Sequence, residues 1–274
     1  MSNGNGSSSG GLTAATVQRF LTPHGTLIFT LTSNGYKFLT LNLVRMIQAL
    51  RVPWTLCIIC ADAAAHTFFT QEGIPCIRAP GAAGTAPPQI VPFGTRQFQQ
   101  LNRMKLTLLT SLINLPEVRQ GIYLDGDIAV YRDFVPDAEA RLAAAPDVIM
   151  LQCDERSRVD CSGTSAPGCP ILCTGLIAWA HGVSAEPFRL GTPEAEAVWS
   201  ACPEDQPFVN RRLAELGLAA RSFPRSLYPN GAFTSLFSRG STKKGEALLL
   251  HYNYLVGDMK PKKMRANGDW IIPY

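Results

Sequence analysis

The sequence predicts an α/β protein with a mostly parallel central sheet flanked by helices. Three observations carry this. The first eighty residues alternate β-rich apolar runs with helical patterns, as strand–helix–strand units do. Ile122, Tyr123 and Leu124 are consecutive apolar residues, as in a strand covered on both faces. The chain has 274 residues, 46% hydrophobic and 17% charged, enough apolar material for a large core.

Residues 1–22 read as a flexible tail that starts Gly-, Ser- and Asn-rich, and 23–274 as one domain. Thr26–Thr32 is the first strand. A helix is expected over 34–50, with Phe38, Leu41, Val44 and Ile47 at helical spacing. A second strand is expected over 54–60, then a helix over 62–70 with Asp62 as its N-cap. A third strand begins at 76–77, and a Pro/Gly/Ala loop covers 80–94.

The next helix, 95–113, carries the apolar stripe Phe98, Leu101, Leu108 and Leu112, with Lys105 on the same face. An unpaired ammonium there is costly. Two readings stay open: a structural carboxylate pairs with it, or it reaches an anionic ligand at the sheet edge. Segment 121–127, GIYLDGD, is a strand that ends in two carboxylates. Further strands are expected over 147–151 and 172–178, with 153–170 irregular between them. Helices are expected over Pro193–Ala201 and Asp205–Leu216, and the last apolar run, 247–250, ends in His251.

Bulk properties exclude several classes. A net charge of +4 is too mild for a nucleic-acid binder. Lys243, Lys244, Lys260, Lys262, Lys263 and Arg265 read mostly as a solvated basic surface. No window reaches the roughly 18 uninterrupted apolar residues a membrane span needs. The chain as it stands is expected in the cytoplasm, or in the Golgi lumen if an N-terminal anchor was removed. Of eight cysteines, most are expected free. Cys57 and Cys60 read as buried core residues. A disulfide among Cys161, Cys169 and Cys173 would go with an oxidising lumen.

Three clusters can carry chemistry. Asp125 and Asp127 flank Gly126 just beyond a buried strand, where ligands of open α/β sheets bind. Two carboxylates there repel unless a cation lies between them. Hard oxygen ligands suit magnesium or manganese, and Gly126 leaves room for close approach. An Asp-Gly turn is the bland alternative. The second cluster is His251 with Asn253, Gly257 and Lys260. An imidazole can complete a coordination sphere, while a glycine backbone and a lysine suit a phosphate. The third is Asp205-Gln206 with Asn210, either a helix start or a pair that binds sugar hydroxyls.

These pieces resemble the nucleotide-diphospho-sugar transferases of the GT-A fold, which include plant cell-wall xylosyl- and arabinosyltransferases and cytoplasmic galactosyltransferases. The resemblance covers about residues 26–270. Its segments come in the family's order: FQQLNRMKLTLLTSLI, GIYLDGDIAVYRD, CTGLIAWAHG, EDQPFVNRRL and LLLHYNYLVGDMKPKKMRANGDW. The last also resembles the H-x-x-G-x-x-K signature of glycogenin-like enzymes, with a longer gap from His251 to Gly257.

The resemblance implies a Rossmann-like sheet with a smaller acceptor-side subregion. It implies metal-dependent transfer of a hexose or pentose from a nucleoside-diphosphate sugar, a UDP-sugar, to a hydroxyl of a glycan or glycoprotein, with retention of configuration. Asp125, Asp127 and His251 would ligate Mn2+ or Mg2+, with Asp125 also at the ribose. Gly257 and Lys260 would hold the diphosphate, with Gly126 and Asn253 beside them. Thr30, Thr32 and Tyr36 would hold the nucleoside. Lys105 would approach the donor, near Thr174 and Gly175, and Asp205 and Gln206 would lie beside the transferred sugar. Arg132 would make a structural ion pair. The resemblance has Asn where this chain has Cys173, which bears on the donor-sugar contact. Two rivals are a non-catalytic protein that binds nucleotide sugars or glycans, and a sugar nucleotidyltransferase. The segment TSNGY lacks the glycine-rich basic loop the latter needs.

Overall fold

A computed structural model describes residues 12–82, 84, 89–154, 172–231 and 245–274. The strands are β1 Thr26–Thr32, β2 Cys57–Cys60, β3 Cys76–Arg78, β4 Gln120–Leu124, β5 Ile128–Val130, β6 Ile149–Cys153, β7 Leu172–Ala180, β8 Ala220–Ser222 and β9 Leu249–His251. The α-helices are α1 Ala14–Val17, α2 Lys37–Ala49, α3 Ala63–Gln71, α4 Arg96–Ile113, α5 Val135–Ala144, α6 Pro193–Ala201, α7 Asp205–Leu216 and α8 Met259–Ala266.

Seven strands form one sheet in the order β3-β2-β1-β4-β7-β6-β8, and β5 and β9 form a second, antiparallel pair. Every neighbouring pair in the large sheet is parallel except those of β7 with β4 and β6. The expected mostly parallel α/β sheet is therefore present. Side chains of β1 alternate between two core layers: Leu27 and Phe29 pack on one face, Ile28 on the other. Helices cover both faces, which is why the strands read as unbroken apolar runs.

The reversed strand matters for the site. Because β7 runs against β4, its N-terminal end lies beside the carboxyl end of β4. Leu124 is opposite Leu176, and the Asp125 amide donates to the Gly175 carbonyl at 2.8 Å. Residues 173–175 thus reach the edge where the parallel strands deliver their carboxyl ends.

Local signals hold in several places. Asp62 caps α3 by accepting the Ala65 amide at 2.9 Å, and its other oxygen accepts the Asn34 amide at 2.8 Å. Thr95 caps α4 through the Phe98 amide. Helices α6 and α7 fall where their patterns put them.

Other expectations are corrected. Part of the expected tail is packed, because Val17 and Phe20 are buried against the core. Strand β2 begins at Cys57, not at 54, because pairing with β1 starts at Cys57 opposite Phe29. Trp54 instead donates its indole N–H to Asp133 at 2.9 Å. Arg132 makes no ion pair among the described residues; it donates to the Gly245 carbonyl. Cys57 and Cys60 are buried free thiols in opposite core layers. Cys173 is also free, whereas Cys153 is disulfide-bonded. Cys161, Cys169 and most of the irregular stretch 153–170 lie outside the described residues, as do Lys243 and Lys244. No helix among the described residues is long and apolar enough to cross a membrane.

Candidate functional site

A cleft of about 470 Å3 opens at the carboxyl edge of β1 and β4, within the size range of small-ligand sites. Asp125, Asp127 and His251 stand on its floor. Asp125 and Asp127 enter from the turn between β4 and β5, and His251 ends β9. The β5–β9 pairing sets Ile128 opposite His251. That register brings the imidazole to the two carboxylates.

Each aspartate divides its oxygens between an anchor and the centre. Asp125 Oδ1 accepts from the Tyr123 hydroxyl at 2.6 Å and from Lys105 Nζ at 3.3 Å. Its Oδ2 lies 3.6 Å from His251 Nε2. Asp127 Oδ2 accepts from Lys260 Nζ at 2.5 Å, while its Oδ1 lies 3.3 Å from His251 Nε2. One ligand atom from each of the three residues falls within 4.8 Å of the others.

Gln152 fixes the imidazole. Its amide nitrogen donates to the carbonyls of Tyr228 and Pro229, each at 2.9 Å, so its oxygen must face His251 Nδ1, also at 2.9 Å. Nδ1 then carries a hydrogen, which leaves Nε2, facing the carboxylates, as the position for either a proton or a metal ion. That tautomer, held by an outer amide oxygen, is the one a metal-ligating histidine needs.

Electrostatics agree. Burial favours the neutral form of Asp127, yet Lys260 and then His251 hold its carboxyl well below the usual range. Burial likewise disfavours the His251 imidazolium, but Asp127 raises its pKa well above the ordinary value. A proton and a divalent cation compete for the same Nε2 lone pair. Two hard carboxylate oxygens and one imidazole nitrogen suit Mn2+ or Mg2+. The residues therefore fit the expected metal.

Two glycines are demanded by close approach. A Cβ on Gly175 would lie 2.0 Å from His251 Cε1, so only glycine lets the ring sit there. A Cβ on Gly126 would lie 2.5 Å from Thr40 Oγ1. The space a side chain would need at Gly126 is thus filled by Thr40 of α2, while Gly126 itself lines the cleft.

The wall formed by α4 and α7 holds the third cluster. Lys105 Nζ bridges Asp205 Oδ2 at 2.7 Å and Asp125, and lies 4.5 Å from the Tyr123 ring centre. Burial lowers its pKa, but Asp125 and Asp205 outweigh that and hold it above the usual lysine value. Thr174 Oγ1 donates to the same Asp205 oxygen at 2.7 Å. Of the two sequence readings of Lys105, the pairing with carboxylates is the one seen directly; the side chain also lines the cleft.

Thr32, Tyr36, Asn253, Gly257 and Lys260 also line the cleft. Tyr36 donates to the Val91 carbonyl, and burial pushes its hydroxyl up to about 12. Gly257 has a positive φ of 55°. Asn253 is committed to protein: its amide nitrogen donates to Asp154, and its oxygen accepts from the Gly231 amide at 2.5 Å. Thr30 is the exception among the expected site residues, being fully buried and off the cleft wall.

The sequence reading missed Tyr123, Gln152 and Asp154. A signal existed for two of them: Gln152 interrupts an apolar strand, and Asp154 follows its end. Buried polar residues at a strand's carboxyl end require partners.

Neither a family model nor a curated protein matches this sequence. Solved structures do. The galactosyltransferase LgtC, solved with donor and acceptor sugar analogues, is 12% identical over 90% of this chain and 97% of its own, with a TM-score of 0.56. The glycosyltransferase GlyE of Streptococcus pneumoniae TIGR4 is 13% identical over 88% of this chain and 59% of its own, with a TM-score of 0.52. The bifunctional glycosyltransferase WbbM is 10% identical over 88% of this chain and 49% of its own, with a TM-score of 0.51. At such identities the likeness shows the fold, which is the GT-A fold.

Proposed function

We propose that this chain is a metal-dependent glycosyltransferase, moving a sugar from a nucleoside-diphosphate donor to a hydroxyl of a glycan or glycoprotein. What supports the reading most is the convergence of Asp125 Oδ2, Asp127 Oδ1 and a tautomer-fixed His251 Nε2 at the sheet edge. The GT-A fold adds to it.

Asp125, Asp127 and His251 would hold Mn2+ or Mg2+. When bound, the metal supplies positive charge to the departing diphosphate. Lys260 and the Gly257 backbone add to that charge, so leaving-group stabilisation is the main catalytic effect. Thr32 and Tyr36 would border the nucleoside, taken as uridine. Asp205 and Gln206 would stand beside the sugar, where positive charge develops at the anomeric carbon. Lys105 holds Asp205 ionised and in place.

Transfer breaks the bond from the anomeric carbon to the diphosphate oxygen. The acceptor oxygen bonds to that carbon on the same face, and its proton passes to the leaving diphosphate. Configuration is then retained. No side chain need act as a separate base.

The test is a thermal-shift and turnover screen of nucleotide sugars with and without manganese. A ligand that binds only the folded state raises Tm. Stabilisation by a UDP-sugar, dependent on manganese, together with transfer or slow hydrolysis, is the expected result. Binding without turnover would favour a non-catalytic sugar-nucleotide binder, and no binding at all would sink the proposal.

Lys260 gives a second test with opposite signs. A lysine on Asp127 opposes entry of a divalent ion to the same carboxylate. Lys260→Met is expected to tighten manganese binding without nucleotide by about fivefold, from roughly 1 kcal/mol of removed repulsion. The same variant weakens nucleoside-diphosphate binding by about tenfold or more, through loss of the charged contact. Titration calorimetry with each ligand alone and together reads both signs.

A further inference from the structure

Asp154 stands just past the end of β6, 8% exposed, on the wall of the cleft. It receives three side-chain amide donors. Gln206 Nε2 donates to Oδ2 at 2.7 Å, and Asn230 Nδ2 and Asn253 Nδ2 both donate to Oδ1 at 2.8 Å. Its backbone carbonyl accepts the Tyr254 hydroxyl at 2.9 Å. Among the described residues it has no cationic partner. Among the described residues the carboxylate is thus held by neutral dipoles, and its charge fixes their orientation.

An ionised carboxylate only accepts hydrogen bonds. An amide that faces it must present nitrogen. Gln206 therefore turns its amide nitrogen to Asp154, and its oxygen is left with no donor among the described residues. Gln206 lines the cleft between Asp154 and Asp205, so the free amide oxygen is the end available to a ligand there.

We propose that Asp154 is a positioning residue for the transferred sugar: by holding the Gln206 nitrogen, it sets the amide oxygen toward the cleft. This rests on the glycosyltransferase reading above. Under that reading, positive charge grows on the sugar ring during transfer. A fixed amide oxygen stabilises that charge, and a nitrogen in its place opposes it. Asp154 thereby sets the sign of the dipole the sugar meets. It also ties Asn253, two residues past His251, to the same point, so the sugar side and the diphosphate side share one anchor.

The isosteric variant Asp154→Asn makes the idea testable. Asn230 and Asn253 both need an acceptor at the Oδ1 position. The new asparagine places its oxygen there and presents its nitrogen to Gln206. Gln206 must flip, and its nitrogen then faces the sugar. The expected result is a fall in kcat of about 10- to 100-fold, with donor KM and nucleoside-diphosphate affinity within about twofold of wild type. Gln206→Leu is expected to lose a similar factor, and the double variant no more than Gln206→Leu alone, because the two act as one unit. Independent multiplication of the two losses, or a drop in nucleotide affinity in step with kcat, would make Asp154 a general structural support and overturn the proposal.

A second measurement does not need turnover. The Gln206 side-chain amide signals in an 15N NMR spectrum, identified by their loss in Gln206→Leu, should exchange slowly in wild type. They should move toward the free-amide position in Asp154→Asn. Free-amide signals in wild type would overturn the positioning role and leave the glycosyltransferase reading standing. Absence of any nucleotide binding or transfer by the wild type would remove that reading and this role with it.

Discussion

Asp127→Ala is expected to weaken manganese binding by about 100-fold or more and transfer by on the order of 1,000-fold. The residue does two things at once. Its Oδ1 faces His251 Nε2 at 3.3 Å, and its Oδ2 holds Lys260 at 2.5 Å. Under the proposed function, alanine removes a metal ligand and frees a lysine that would serve the diphosphate. The stability cost is smaller. The Lys260 side chain is 20% exposed and can turn to water, so about 1–3 kcal/mol is lost, the range for a buried polar group left without its partner. Asp127→Asn keeps the shape and a single acceptor oxygen, for either Lys260 or the metal position, and removes the charge. Manganese titration by electron paramagnetic resonance, beside initial-rate assays, reads the result. An alanine variant with unchanged metal affinity and transfer would end the metal reading of this site.

The sequence carries the alternation of strands and helices clearly, because period and burial are local properties. It also carries Asp125 and Asp127, since a strand of unbroken apolar residues that stops on two carboxylates is unusual. It carries less where the deciding contact is remote. Helix α8 is rich in lysine and buries only Met264, so no apolar stripe announces it. Strand β8 has three residues and gains its identity from pairing with β6. Strand β7 could be recognised as apolar, but its reversed direction is a property of the whole sheet. Thr30 was expected at the nucleoside; it shares its face of β1 with Thr32 but lies two residues back from the strand end, fully buried and off the cleft wall. Gln152 shows in the sequence as a polar residue interrupting an apolar strand, but its role, fixing the His251 tautomer, does not, because it joins positions 99 residues apart.

Gly175→Ala tests whether geometry, rather than the mere presence of three ligands, makes the site. The substitution leaves Asp125, Asp127 and His251 chemically intact. It places a methyl 2.0 Å from His251 Cε1, 2.6 Å from Nδ1 and 2.7 Å from Nε2. The backbone cannot retreat freely, because the Gly175 carbonyl accepts the Asp125 amide at 2.8 Å, and a shift there moves Asp125 as well. The ring must therefore tilt, which breaks the bond from Nδ1 to Gln152 and turns Nε2 off the carboxylates. Manganese affinity is expected to fall by roughly 100-fold, within the 10- to 100-fold range known for lost outer-shell support or at its upper end. Overpacking should cost about 1–3 kcal/mol of stability. Gly121→Ala is the control. Its methyl would lie 2.1 Å from the Trp179 ring, inside the core and away from the cleft, so it imposes a similar clash without touching His251. The expected pattern is two variants of comparable lowered Tm, of which only Gly175→Ala loses the metal. If both lose it alike, the effect is general loosening of the sheet. If neither does, the close approach of Gly175 and His251 is not what aims the imidazole.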